Sequence, residues 1–561
     1  MIFTMSCNFC PVLRSLHPST LPPVPEETAR IAKLAFPNGN RYLTLRDQVG
    51  TFFNDSDFKD LFSVYGQSAI SPCQLALICI MQFLEDLTDR QAAEAVRSRI
   101  DWKYLLGLEL TDAGFDYSVL CEFRTRLIDG NAEARLLNVF LDECKRQGWI
   151  KQRGKQRTDS THVLAATRDL NRLECVGETL RAALNSIATI TPEWLQDWVP
   201  LEWFDRYSRA IEEYHLPKGI AARKEYAEVI GADGMELLER VWEDTTAPLE
   251  LRRLPAVDIL RRTWVHQYQI VEGQVRLRDA KNIPPAGERM DSPYDPDARF
   301  GNKRSTTWTG YKVHWTETCD DGQVHLITHV MTTHGHQTDL GQTEEVHKAL
   351  EAKSLLPAEH LVDTAYVNSP LLLNSEPDYG ITLIGPMRPN VSWQANSDGY
   401  DLSLFRINWK AQKVTCPQGK KSRSWSPGKD MAGRPIFHVK FAIADCRHCA
   451  QRSLCTRCKD APRHLMIRPQ QEHKALEAIR RQQQTKKWKK RYDKRAGIEG
   501  TLATGIQVLG LRRTRYTGLA KTHLQHVFTA IAMNFARIVS WLKAEPLPKL
   551  RVSRFAALAP A

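Results

Sequence analysis

Tyr311-Lys312-Val313-His314-Trp315-Thr316-Glu317-Thr318, Asp320-Asp321-Gly322 and Gln323-Val324-His325-Leu326-Ile327-Thr328-His329-Val330 read as two extended runs joined by a tight turn. β-Branched and aromatic residues favour a pleated backbone in both runs, and Gly322 suits the turn between them. A helical pattern follows from about 339 to 353, and then a short strand ending at Asp363. Upstream, residues 156–163 form a predicted strand that holds Asp159, and Ile381-Thr382-Leu383-Ile384-Gly385-Pro386 supplies one more. Strand, hairpin, helix, strand is the order of an α/β fold, a mixed sheet with helices on its faces.

Working outward, residues 1–40 are rich in proline and predict an extended arm without a core of its own. Residues 41–150 are helical in pattern and form a candidate DNA-binding domain. Thr88-Asp89-Arg90-Gln91 is a capping box, in which Thr88 covers a free backbone amide and Gln91 reaches back. A second helix opens at Asp116–Ser118. Two short helices joined through Trp102, Tyr104 and Leu105 would present Arg124 and Arg126 to DNA as a helix-turn-helix does; a plain helical bundle with solvated arginines fits these residues equally. Residues 151–386 and 469–545 hold the sheet and its helices, interrupted by a helical insertion at about 170–290 where Trp194, Trp198, Trp203, Phe204 and Tyr207 supply apolar contacts. Residues 387–468 turn to Cys, Trp, Pro, Gly and Lys without helical periodicity and read as a second insertion, and 546–561 is a tail. In the last long helix Leu524, Val527, Phe528, Ile531, Phe535, Ile538 and Leu542 share one face, as packing on a sheet requires.

A chain of 561 residues exceeds what one core organises, and 42% hydrophobic with 25% charged residues excludes wholesale disorder. Its mean hydropathy of −0.41, and a longest apolar run of only Leu75–Met81, exclude a membrane-spanning class. Seventy-seven Lys and Arg against 65 Asp and Glu give +12, which favours a polyanionic partner, nucleic acid first. No secretory signal opens the sequence, so a cytoplasmic location is expected, and the 13 cysteines read as reduced thiols or metal ligands.

Asp159 in Arg-Thr-Asp-Ser-Thr-His-Val, Asp363 in His-Leu-Val-Asp-Thr-Ala-Tyr and Glu499 in Ala-Gly-Ile-Glu-Gly are the acids whose settings aim them at a common point. A lone Asp at a strand end is more often a turn or cap residue. Three together in a basic protein suit phosphodiester chemistry, in which two divalent ions, Mg2+ or Mn2+, take hard carboxylate ligands. Tyr492, Arg495 and Glu499 stand at i, i+3 and i+7, one face of a helix. Just upstream Lys486, Lys487, Trp488, Lys489, Lys490 and Arg491 make a cationic run with an aromatic inside it, and Arg512, Arg513 and Arg515 extend the basic surface. Such a run is a solvated face more often than a binding site; beside carboxylates it becomes a phosphate track.

Cys416-Pro417, Cys446-x-x-Cys449 and Cys455-x-x-Cys458 have the spacing of a tetrahedral structural zinc site, with Cys458, His438, His448 and His464 as further candidates. Cys7-x-x-Cys10 has no second pair nearby and carries little weight, and the histidines of the hairpin read as packed or solvent-facing.

The chain resembles the DDE transposases of bacterial insertion sequences, within the family numbered eleven-eighty-two. Arg157-Thr158-Asp159-Ser160-Thr161-His162-Val163, Gly310-Tyr311-Lys312-Val313-His314, Leu361-Val362-Asp363-Thr364-Ala365-Tyr366 and Gly510-Leu511-Arg512-Arg513-Thr514-Arg515-Tyr516 carry the likeness. It implies a ribonuclease-H-like catalytic domain in which Asp159, Asp363 and Glu499 bind two ions, and a signature met by Tyr492, Arg495 and Glu499. It also implies a zinc set of Cys416, Cys446, Cys449 and Cys455. The expected partners are double-stranded DNA, as transposon ends and target, and a second copy of the chain, a homodimer or larger synaptic complex near the nucleoid. One departure stands out: Ile506 and Gln507 occupy positions where the related proteins carry a basic residue. A catalytically inactive, transposon-derived DNA-binding protein is the alternative.

Overall fold

The computed structural model describes residues 14–303, 305–431 and 433–544. Cys7, Cys10 and the tail at 546–561 lie outside them. In chain order come helices α1 (Glu26–Ala35), α2 (Pro72–Leu84), α3 (Asp89–Ser98), α4 (Ile100–Leu106), α5 (Ser118–Asp129) and α6 (Glu133–Arg146), then strand β1 (Lys155–Leu164). Helices α7 (Arg172–Ile190), α8 (Ile220–Glu243) and α9 (Pro255–Gln267) precede β2 (Arg299–Lys303), β3 (Thr306–Thr318) and β4 (Ile327–His334). Helix α10 (Gln342–Ala352), β5 (Glu359–Val362) and β6 (Thr382–Ile384) follow, and after the second insertion α11 (Gln470–Gln483), α12 (Lys486–Tyr492), α13 (Gly497–Val508) and α14 (Leu519–Leu542). No helix among the described residues is long and apolar enough to cross a membrane.

The chain divides into two compact units, and β1 contributes to both. The first unit holds the described residues of 14–151, 159–337 and 498–544. Its hairpin is real, but the second strand starts four residues later than the predicted 323–330: β3 and β4 pair antiparallel from Tyr311↔His334 to Glu317↔Ile327, with a bulge at Thr316/Glu317. The turn predicted at Asp320–Gly322 widens into a connection over 319–326, closed where the Thr318 N–H donates to the Leu326 carbonyl and the Thr318 hydroxyl accepts the Leu326 N–H. Strand β2, which Gly301 and Asn302 conceal in the sequence, pairs antiparallel with the start of β3. Gly310 is fixed by close approach: at φ +150°, an added Cβ would stand 2.3 Å from the Val163 carbonyl oxygen of β1.

Helix α14 departs most from expectation. The sequence pattern gives it one apolar face for a sheet, yet it is buried on nearly all sides. Phe528 stacks on Phe83 of α2 at 5.5 Å, and Phe535 meets Phe52 at 4.8 Å and Phe140 of α6 at 5.5 Å. Towards β4, Asn534 takes the Ile327 N–H at 2.8 Å and donates back to its carbonyl at 2.9 Å. A helix packed on both sides must bury polar residues, and each then needs a partner.

Several local expectations shift. The arm at 1–40 contains α1, which buries Ala32 against Leu43 and Tyr104. The Thr88–Gln91 capping box forms as expected. Trp102, Tyr104 and Leu105, expected to form a connection, are themselves helical within α4. Around α7–α9 a separate apolar core gathers Trp194, Trp203 and Tyr207, whereas Phe204 is 53% exposed.

The second unit holds residues 152–158 and 338–497. The first half of β1 pairs parallel with β5, from Lys155↔Glu359 to Thr158↔Val362, and β5 pairs parallel with β6. The cysteine-rich insertion is ordered β structure: Arg406–Asn408 pairs with Lys413–Thr415, and Ser424–Lys429, Pro435–Lys440 and His464–Ile467 form a three-stranded antiparallel sheet. Phe405, Val414, Val439, Phe441, Leu465 and Ile467 are its core. Parallel and antiparallel pairs with flanking helices are what a ribonuclease-H-like fold requires.

Candidate active site

The predicted acids occupy distinct local settings. Asp159 lies in β1, 8% exposed, and its Oδ1 accepts the Ser160 N–H at 2.8 Å. Asp363 follows β5 and caps a short 3-10 turn, Thr364–Tyr366, accepting the Thr364 N–H at 2.5 Å. The last paired positions of β1 and β5 are Thr158 and Val362, and each is followed in the chain by an aspartate. Glu499 is exposed on α13, in the first unit with Asp159, whereas Asp363 belongs to the second.

Tyr492, Arg495 and Glu499 do not share one continuous α-helix. Asp493–Ala496 is a 3-10 turn between α12 and α13. A 3-10 turn advances about 120° per residue against about 100° in an α-helix, so four such residues rotate the next helix by about 80°. The turn brings Arg495, largely buried, to 4.0 Å from the Asp363 carboxylate. Arg157, which sequence reasoning passed over, clamps this turn by donating to the Lys494 carbonyl oxygen, and a Cβ on Gly497 would fall 2.1 Å from its guanidinium. The available signal was the alternation along β1, which puts Arg157 and Asp159 on one side.

A second group missed in the sequence links β1, β5 and α10 within the second unit. His360 of β5 is fully buried, with Nε2 2.7 Å from Thr158 Oγ1 and Nδ1 2.9 Å from His347 Nε2 of α10. Burial lowers both imidazoles, His347 to about 4, with Glu344 opposing weakly, so both are neutral in the folded state. Above pH 6.5 neither state binds the proton, and as pH falls towards 4 only the unfolded chain does, so stability is lost across that window and not below it. Urea unfolding is expected to lose about 2 kcal/mol at His347 between pH 6.5 and 5, a loss absent from His347→Gln. Equal pH slopes in the two proteins would refute the assignment.

The basic residues separate into two kinds. Lys489, Lys490, Arg512 and Arg513 are exposed, and Trp488 stacks on Tyr492 at 4.8 Å within the cationic helix α12. Arg512 also donates to Thr161 Oγ1 at 2.9 Å, and the backbone of 512–514 bonds to Leu164 at the end of β1. Arg491 pairs with Glu359 at 3.1 Å. Arg515 is held by Asp86 and the Leu87 carbonyl and lies over Phe83, and Arg126 lies over Phe62. Arg124, expected to face DNA, is 6% exposed, paired with Asp89 and packed over Tyr516. That expectation is corrected: Arg124 is an internal tie, because a buried guanidinium needs its anion.

Cys416, Cys446, Cys449 and Cys455 line one small pocket in the insertion, with Arg463 beside them. Burial pushes the Cys455 thiol up, Arg463 opposes this, and the other three cysteines push the same way as burial. Cys458 is exposed outside that lining, and His438 stands 3.0 Å from His464 rather than among the thiols. Among the described residues no three His, Cys, Asp or Glu side chains close around a metal position as they stand. By donor chemistry alone, carboxylates suit a hard divalent ion and thiolates suit zinc.

Two family models match the chain. "Transposase DDE domain" covers residues 415–539, which include the cysteine pocket, Tyr492, Arg495 and Glu499; "Transposase domain (DUF772)" covers residues 32–126, the N-terminal helices. No curated protein matches the chain. Matches to two transposase domain models, on a mixed α/β fold, support a DDE transposase of an insertion sequence.

Proposed function

We propose that this transposase binds the terminal inverted repeats of its insertion sequence, frees a 3′-hydroxyl at each end by hydrolysis and uses it to attack target DNA. Asp159, Asp363 and Glu499 are the residues that would hold two Mg2+ or Mn2+ ions, which when bound strengthen the attacking oxygen and neutralise the leaving one. The observation that carries this reading is the register Thr158↔Val362, each followed in the chain by an aspartate, with Arg495 4.0 Å from the second. A rigid sheet is the place where carboxylates hold their positions without a bound ligand.

The remaining groups bind and orient. Lys489 and Lys490 neutralise phosphates, and Arg512 and Arg513 do so at the end of β1, where the missing base at Ile506 and Gln507 leaves that role open. The Trp488–Tyr492 pair offers a flat face to a base or sugar. Arg495 stands opposite Asp363 as its counter-charge. Two ends held together call for at least a dimer. Purified protein with Mg2+ and a labelled inverted-repeat duplex is expected to nick at the element boundary. Binding without nicking would instead identify a DNA-binding relic, and cutting of branched DNA without regard to the repeat a structure-selective nuclease.

Support for structural zinc comes from the single pocket lined by Cys416, Cys446, Cys449 and Cys455. Deprotonated and turned inward, these thiolates would tie the insertion together. Metal analysis should find one zinc per chain, lost in Cys446→Ser; a metal-free protein with an unchanged melting profile after chelator treatment would exclude the site.

A further inference from the structure

A cleft of about 920 Å3 in the second unit is lined on one side by the cysteine-rich insertion and on the other by α11. Arg463 and Arg468 line it from the insertion, and Arg480 and Arg481 from the helix. Its two acids are already engaged: Asp401 accepts from Asn390 Nδ2 and from Ser403, and Glu477 faces His473 at 3.2 Å. The cations are less well satisfied. Nε of Arg463 and Nη1 of Arg468 are buried without a hydrogen-bond acceptor, Nη1 standing 3.6 Å from Glu472. A buried guanidinium N–H left unpaired costs stability that an anion would restore. Arg463 is not a mobile arm, since its Nη1 donates to the Cys455 carbonyl at 2.9 Å and its guanidinium lies over Phe405.

We propose that this cleft binds single-stranded DNA, the unpaired strand beside a nick, a reading that rests on the chain acting on DNA. The cleft's volume is that of a ligand pocket and is too small to take in a turn of double helix. Its arginines meet the phosphates, and Met466, 63% exposed at the lining, and the ring of His464 offer surfaces on which bases stack. The charged walls are sequence-neutral, so affinity follows strand length and falls steeply with salt.

The test uses the full chain and a fluorescein-labelled oligothymidylate of about 10 nucleotides, within the span of known single-strand sites. Anisotropy measures its affinity and that of an inverted-repeat duplex. Met466→Glu combined with Gln484→Glu places two negative charges on the lining at exposed positions, and the ratio of single-strand to duplex affinity is expected to fall at least about tenfold. An unchanged ratio overturns the proposal. Independently, a 4-thiothymidine oligomer cross-linked to the unmodified protein should attach within residues 463–484, and attachment only on α12 or α13 overturns it. Duplex binding and nicking that persist alongside such a negative result would confine the failure to the cleft; loss of all DNA binding by the unmodified chain would remove the transposase reading with it.

Discussion

Asp363→Asn is expected to reduce nicking of an inverted-repeat duplex by at least about a thousandfold, or about 4 kcal/mol of barrier, without unfolding the protein. The substitution separates the two roles available to this side chain. As a cap, Asp363 accepts the Thr364 N–H, and asparagine caps as well as aspartate does. Melting behaviour should therefore stay close to that of the parent chain. As a metal ligand and as the anion opposite Arg495, the residue needs its charge, which asparagine lacks. Activity within about tenfold of the parent would reduce Asp363 to a turn residue, whereas full loss with an intact fold assigns the charge to chemistry. Asp159→Asn should behave alike, since its carboxylate also bonds to the next backbone N–H.

The largest stability effect is expected at Arg537. Glu317 of β3 is completely buried and accepts from Arg537 of α14 at 2.7 Å and from Thr501 of α13 at 2.8 Å. Arg537 also donates to the His325 carbonyl at 2.9 Å. Removing the guanidinium takes its counter-charge from a carboxylate in the core, and Arg537→Ala should cost about 3–5 kcal/mol in urea unfolding. Replacing both partners, as Glu317→Gln with Arg537→Met, should recover most of that loss, because no unpaired charge remains. A loss below about 1 kcal/mol in the single variant would mean that water already reaches Glu317. The network matters for chemistry because Thr501 is two residues beyond Glu499, so slack in α13 should lower nicking even where the protein remains folded.

The features legible in the sequence are those governed by local rules. The Thr88–Gln91 box, the β3–β4 hairpin and the strand ending at Asp363 depend on neighbours a few residues apart, and each forms. Strand β2 was concealed because Gly301 and Asn302 carry little strand propensity and pair only with help from β3. The shared face of Tyr492, Arg495 and Glu499 failed because periodicity assumes a continuous α-helix, and Asp493–Ala496 winds more tightly. Arg124 looked solvent-facing because its anion, Asp89, is 35 residues away, and its ring partner, Tyr516, almost 400. The His347–His360–Thr158 chain is likewise non-local, its last two members standing 202 positions apart. The cysteine spacing showed a thiol cluster but left Cys458 and three histidines in play, and only the resemblance singled out the four that line one pocket.

The central claim is that Asp159, Asp363 and Glu499 serve the same metal ions. Iron(II) substituted for Mg2+ generates hydroxyl radicals that cut the polypeptide beside the bound ion, and fragment mapping reads the cut positions. The account predicts cuts near residues 159, 363 and 499 together, all three lost in Asp363→Asn. Cuts at one of these places only, or three patterns that respond separately to the single substitutions, would contradict it.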